Sequence, residues 1–177
     1  MSADLKKVVI VGPECTGKSA LCDYLAEEFN TAWVREYARE YIENLDRPYA
    51  QEDLVRIAEG QLAQEDAMVS KAKRVLICDT NLYVIKIWSI FKYGYCDPQI
   101  LESLASRKYD LYLLTYIDIP WVADPQREHP DHRDQLYALY LREMKNQPVP
   151  FVEIKGTREQ RQSRARESVM RLLGGKG

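Results

Sequence analysis

Apolar positions along the chain alternate between two rhythms. Residues 5–11 form a β-branched run, and residues 18–29 then space Leu21, Leu25 and Phe29 along one helical face. A short stretch at 31–35 has the composition of a strand, residues 37–45 read as a helix stopped near Pro48, and residues 51–70 set Leu54, Ala58, Leu62 and Ala67 along a long amphipathic helix. A second apolar strand covers 74–78 and ends at Asp79. Residues 81–93 are apolar on nearly every side, which predicts a buried helix. Further strands are expected at 111–117 and 150–154, and a closing helix at 158–173 frays at Gly174-Gly175. Strands separated by helices of this length pair in parallel through crossovers. The expected architecture is therefore a three-layer α/β/α sandwich in one domain over residues 1–177. The long polar stretch 120–133, with Asp124-Pro125 and His129-Pro130, reads as a mobile loop or lid.

Composition narrows the function classes. Lys plus Arg is 25 against 27 Asp plus Glu, a formal net charge of −2, which argues against a general nucleic-acid binder. A local cationic pocket for a small anion stays compatible with that balance. The most apolar run, 82–91, is short and contains Lys86, so it cannot span a bilayer. The first residues lead directly into a strand without a signal-peptide core, and a cytoplasmic protein is expected. Cys15, Cys22, Cys78 and Cys96 form no Cys-x-x-Cys pair, and reduced thiols are the expectation.

Gly12-Pro13-Glu14-Cys15-Thr16-Gly17-Lys18-Ser19 satisfies G-x-x-x-x-G-K-S between a strand and a helix that continues through Ala20. The glycines let the backbone curl so that successive N–H groups face phosphate oxygens, and the helix start adds its positive dipole end. Lys18 supplies a full charge at the β- and γ-phosphates, and the Ser19 hydroxyl suits Mg²⁺. ATP and Mg²⁺ are thus the expected ligands. Asp79 delivers a carboxylate to the carboxyl edge of a second strand, where it would support the metal.

A phosphate loop leaves open a kinase, a GTPase, an oligomeric ATPase motor or a nucleotide sensor. The guanine-reading N-K-x-D and the D-x-x-G of GTPases are both absent, and a motor would bring a further domain for which this length has little room. A kinase needs cations over the transferring group and an acceptor site. Arg127 and Arg133 in the lid are candidates for the first, while His129 and His132 read as surface residues. Glu36 follows a strand end and shares a helical face with Arg39 and Glu40, so it could bind ribose hydroxyls or act as general base.

The blocks Glu36-Tyr37-Ala38-Arg39-Glu40-Tyr41, Asp79-Thr80 and Asp118-Ile119-Pro120-Trp121, the last leading on to Asp124 and Arg127, resemble the nicotinamide riboside kinase domain of NadR-like NAD-salvage proteins. The resemblance runs from Val8 to about Arg164 and is strongest to a stand-alone kinase group. It implies a thymidylate- and deoxynucleoside-kinase-like fold with five parallel strands. It also implies transfer of the ATP γ-phosphoryl to the 5′-hydroxyl of nicotinamide riboside. Gly156-Thr157-Arg158 would then lie against adenine, Glu36 would be ribose ligand or base, and Asp79 a second candidate base. Asn81 stands where members carry an aspartate, and Arg35 where the larger proteins have an aromatic.

A cationic pyridinium substrate calls for carboxylates and aromatic faces, and Trp33, Tyr37, Tyr41, Tyr83 and Trp88 flank the two acidic candidates. Tyr37, Arg39 and Tyr83 join Glu36 and Asp79 as expected substrate contacts. The tail arginines Arg161, Arg164, Arg166 and Arg171 read as a solvated face. Two alternatives stay open: a kinase for another nucleoside or a nucleoside monophosphate, and a non-catalytic ATP-binding signalling module. A small-molecule riboside is the expected partner, without nucleic acid or membrane, and the sequence leaves the oligomeric state open.

Overall fold

The computed structural model describes residues 5–174; the expected features at the first four residues and at Gly175 lie outside them. Five strands, β1 (Lys6–Val11), β2 (Trp33–Val34), β3 (Val75–Asp79), β4 (Leu111–Thr115) and β5 (Phe151–Ile154), form one sheet in the order β2-β3-β1-β4-β5. Every pairing is parallel, with Val9 of β1 opposite Cys78 of β3 and Tyr112 of β4.

Seven helices connect them: α1 (Lys18–Glu28), α2 (Tyr37–Glu43), α3 (Gln51–Val69), α4 (Leu82–Tyr93), α5 (Pro98–Ser106), α6 (Arg133–Asn146) and α7 (Arg158–Leu172). The central strands are buried on both faces, which is why they read as continuous apolar runs. Val8 and Ile10 pack with Leu21, Cys22 and Leu25 of α1 and Ala165 and Val169 of α7. Val9 and Val11 point the other way, to Ile87 of α4 and Leu136, Tyr140 and Met144 of α6. A third cluster joins α2 to α5 through Ala38, Leu54, Ile57, Leu82, Ile85 and Ile100. The three-layer sandwich is as expected.

Two helices went unread in the pattern. Helix α5 is announced only by Asp97, whose carboxylate caps the Gln99 N–H at 2.8 Å, and by Pro98; it buries a single residue, Ile100. Helix α6 does carry Leu136, Tyr140 and Met144 four apart, but its polar first turn continues the lid composition. The strand expected to run to residue 117 ends at Thr115. The stretch expected to be a lid is irregular until a 3-10 turn at Pro130–His132 hands over to α6, and the name lid segment refers to its position alone.

Candidate functional site

The phosphate loop is built by sterics at the carboxyl end of β1. Gly12 has φ 145°, and a Cβ there would sit 2.3 Å from Thr115 Oγ1 and 2.8 Å from the Thr115 carbonyl, so only glycine fits against β4. Gly17 caps α1 with φ 79°. The buried Thr16 hydroxyl lies 2.6 Å from Thr115 Oγ1, and Thr115 also donates to the Val11 carbonyl at 3.2 Å. Cys15 takes a left-handed φ of 55°, as does buried Thr80 at 68° just after β3. Both strained residues border the site, where such conformations tend to concentrate.

Lys18 Nζ donates to the Pro13 carbonyl at 2.8 Å. Ser19 Oγ donates to Asp79 Oδ2 at 2.5 Å, and Asp79 Oδ1 is buried without a partner. An orphaned carboxylate oxygen beside a hydroxyl suits a hard divalent cation whose other ligands are water and phosphate. Among the described residues no cluster of three or more His, Cys, Asp or Glu side chains is placed to hold a metal ion. Burial pushes the Asp79 carboxyl up; Lys18, the Ser19 hydrogen bond, Arg35 and Arg39 oppose this. Glu36 is pushed up as well, first by desolvation, with Lys18 opposing and Asp79 reinforcing. The two acids therefore share one electrostatic environment.

One cavity of about 340 Å³ connects this loop to an apolar chamber. Its walls include Gly12 through Ala20 on one side, and Val84, Ile87, Trp88 and Phe91 of α4 on the other. Those four positions form one stripe of α4, while Leu82, Ile85 and Ser89 are buried on another face. Two demands on one helix explain why its sequence is apolar nearly all round. Ala38, Arg39 and Ile42 of α2, Leu136 and Tyr140 of α6, and Gln126, Arg127 and His129 of the lid complete the enclosure with Glu36.

The structure thus brings Lys18, Ser19, Glu36, Arg39 and Arg127 to one cavity. Asp79 stands behind Ser19 rather than on the cavity wall. Arg127 donates to the Val122 carbonyl within the lid, and Arg39 pairs with Asp124 at 3.3 Å.

Several expected contacts lie elsewhere. Tyr37 packs its ring against Gly60 of α3, and Tyr83 stacks edge-on against Tyr112 at 5.6 Å; neither lines the cavity. Trp33 carries the Arg35 guanidinium at 4.5 Å, and Tyr41 donates to Asp53 at 2.9 Å. Of the five expected aromatics Trp88 lines the cavity, and Phe91 and Tyr140 complete its aromatic wall. Asn81 is occupied in capping α4, accepting from Tyr83 N at 3.0 Å, and donates to Tyr112 OH at 3.1 Å. Arg133 donates to the Ile119 carbonyl at 2.9 Å and the Cys15 carbonyl at 3.0 Å, tying lid to phosphate loop from outside the cavity. Gly156 lines a separate shallow depression, Thr157 caps α7, and Arg158 is exposed.

Of the residues read as surface ones, Arg161 is buried and His129 is only partly exposed. Arg161 is 6% exposed and donates to the Thr16, Tyr116 and Gly156 carbonyls at 3.0, 2.9 and 3.1 Å, besides its ion pair with Asp118. His129 lines the cavity with its Nε2 buried. Arg161 did have a local signal, since it shares the inward stripe of α7 with Ala165 and Val169 at four-residue spacing, whereas the partners of both residues, up to 145 positions away, leave no trace in spacing.

A family model described as an AAA domain matches residues 7–161, and the chain belongs to that family. The trifunctional NAD biosynthesis/regulator protein NadR of Salmonella typhimurium is 28% identical over 182 residues, covering 98% of this chain and 44% of that protein. The chain therefore spans less than half the length of that relative. A crystal structure of NadR protein in complex with NR superimposes with a TM-score of 0.77 at 22% identity, covering 97% of this chain and 51% of that one. Thymidylate kinase from Candida albicans gives 0.72 at 15% identity, covering 98% of this chain and 95% of that one. The fold is that of the P-loop nucleoside and nucleotide kinases.

Proposed function

From membership of this family, we propose that the chain is an ATP- and Mg²⁺-dependent kinase acting on the 5′-hydroxyl of a riboside, with nicotinamide riboside as acceptor and nicotinamide mononucleotide as product. The observation that carries this reading is the single cavity in which a phosphate loop faces an aromatic chamber across Glu36. The similar protein is named for NAD biosynthesis, and a NadR chain was solved with NR, which supports that acceptor. The protein would work in the cytoplasm on small molecules.

In this reading the N–H groups of the loop and Lys18 hold the β- and γ-phosphates of ATP. Ser19 and Asp79 would hold Mg²⁺, which when bound neutralises charge on the phosphate oxygens. Glu36 accepts the 5′-hydroxyl proton as that oxygen bonds to the γ-phosphorus and the bond to ADP breaks. Its elevated proton affinity suits a base that must capture a proton near neutrality. Arg127, already on the cavity wall, balances the transferring charge. Arg133 acts through the lid, and the Gly156-Thr157-Arg158 turn would cover adenine.

A screen of ribosides for Mg²⁺-dependent ADP formation tests the reading. Nicotinamide riboside should stimulate ADP release, and Lys18→Ala should abolish it while leaving far-UV circular dichroism intact. ATP binding without stimulation by any riboside would overturn the kinase reading in favour of a signalling module. Arg39 on the cavity wall favours one alternative, a monophosphate acceptor, and a Kd for a nucleoside monophosphate that worsens in Arg39→Ala would support it.

A further inference from the structure

Helix α6 brings to the acceptor chamber a phenol whose hydrogen-bonding capacity is unused. Tyr140 is 4% exposed and packs in one core cluster with Leu136 and Met144 of its own helix and Val9 and Val11 of β1, yet it lines the cavity. Among the described residues its hydroxyl has no hydrogen-bond partner. Four side-chain atoms there are both buried and unpaired, on Gln51, Asp79, His129 and Arg133, and the Tyr140 oxygen is not one of them. The oxygen therefore keeps accessible surface, and the cavity is what this residue faces. Desolvation first, then the Glu36 and Glu14 carboxylates on the same cavity wall, push the phenol pKa up, so it stays protonated and able to donate. Glu14 already accepts from the Glu128 and His129 N–H groups at 3.1 and 3.2 Å, whereas Glu36 accepts no hydrogen bond from the described residues. A donor from α6 and an acceptor at the start of α2 thus stand unused in one cavity.

We propose that Tyr140 is a specificity-determining residue for the acceptor's sugar, its hydroxyl donating to a secondary hydroxyl of the ribose while Glu36 serves the 5′-hydroxyl. The inference deepens the riboside-kinase reading and rests on it. A riboside that reacts at its 5′-hydroxyl holds that oxygen at the phosphate loop and its flat ring among Val84, Ile87, Trp88 and Phe91. The sugar then spans the stretch between, beside Glu36, the carboxylate that acts most strongly on the phenol. Phenylalanine would fill the same core volume, so packing does not account for the hydroxyl. A site built to hydrogen-bond a substrate hydroxyl discriminates strongly against an analogue that lacks it, because the protein group is then left unpaired.

The experiment compares kcat/KM for nicotinamide riboside and its 2′-deoxy and 3′-deoxy analogues, in the wild-type chain and in Tyr140→Phe. The wild type should prefer the riboside to one of the analogues by about tenfold or more. Tyr140→Phe should lose that factor on the riboside, chiefly through KM, and lose nothing on that analogue, with the ATP Kd and far-UV circular dichroism unchanged. The analogue on which the two chains converge identifies the hydroxyl. Equal losses on all three substrates, no loss on the riboside, or no preference in the wild type overturns the role of Tyr140 alone. So does a variant that keeps the preference while the pH limb of kcat/KM moves up, since the phenol would then act on Glu36 instead of the sugar. If the wild type phosphorylates no riboside, the kinase reading falls and this inference falls with it.

Discussion

Glu36 and Asp79 are acids held where water would not choose to ionise them. Both carboxyls have proton affinities above the ordinary carboxylate range, desolvation being the chief cause and Lys18 the chief opposing charge. Between the unfolded and the raised folded pKa the native state binds more protons than the unfolded chain, so these groups make stability fall as pH rises through that window. Glu36→Gln removes one of them. It should stabilise the ligand-free protein by about 0.5–2 kcal/mol at pH 8 and by less at pH 5, read from urea unfolding at both values. The same variant should lose about 10²–10⁴-fold in turnover with ATP affinity retained. In the wild type, kcat/KM should rise with pH along a limb displaced above the usual carboxylate range, and Glu36→Gln should lack that limb. A variant less stable than wild type at pH 8 would contradict the desolvated-acid account. Asp79 likewise keeps one oxygen buried without a hydrogen-bond partner while the other accepts from Ser19.

Helices show why local propensity misleads about substitutions. Gly60 lies within α3, where helix propensity alone favours alanine by about 1 kcal/mol. A Cβ at Gly60 would fall 1.9 Å from Tyr37 Cε1 and 2.4 Å from Cδ1 and Cζ, inside the ring. Gly60→Ala should therefore destabilise by about 1–3 kcal/mol in chemical denaturation, the overpacking term exceeding the propensity gain. Because Tyr37 directly follows Glu36, displacing the ring should also raise the acceptor KM, while the ATP Kd stays fixed. Helix α4 makes the complementary point: its nearly uniform apolar character conceals one stripe shared by the sheet core and the cavity and another packed against α2, α3 and α5. The aromatics expected at the acceptor site were chosen by nearness to Glu36 and Asp79 in sequence, and only Trp88 among them faces the chamber. Tyr140 reaches it from α6, far along the chain.

Across the whole molecule, Arg161 is the residue that joins the layers. From α7 it binds the phosphate loop at Thr16, the end of β4 at Tyr116, and the turn after β5 at Gly156, with Asp118 as counter-ion. Desolvation pushes the Asp118 carboxyl up, but the Gly156 N–H and Arg161 outweigh it and hold the carboxyl below its usual range. The stability it contributes is present above the unfolded carboxylate pKa and is lost as pH falls through the folded one, a sign opposite to that of Glu36. Arg161→Ala should cost about 2–3 kcal/mol and weaken ATP binding. Arg161→Lys should recover little of either, since an ammonium cannot serve several carbonyls in the geometry of a planar fork. Full recovery by lysine in thermal melts would show that charge alone is what the site needs. The family match covers residues 7–161 and so reaches this arginine, which the four-residue spacing to Ala165 and Val169 places on the inward face of α7, unlike exposed Arg158 and Arg164.

The five strands, every helix but α5 and α6, the doubly buried β1 and β3, and the phosphate loop were legible in the sequence, because each depends on neighbours a few residues apart: β-branched runs, 3.6-residue periodicity, and glycines at a bend. The tertiary structure alone decided which aromatics form the chamber, that His129 lines the cavity, which carbonyls Arg161 serves, and that Tyr37 and Tyr83 stand off the cavity wall. Those outcomes depend on desolvation and on contacts between segments that meet only after the sheet has assembled. Spacing marks which face of an element turns inward, but which distant segment meets that face is a property of the folded chain.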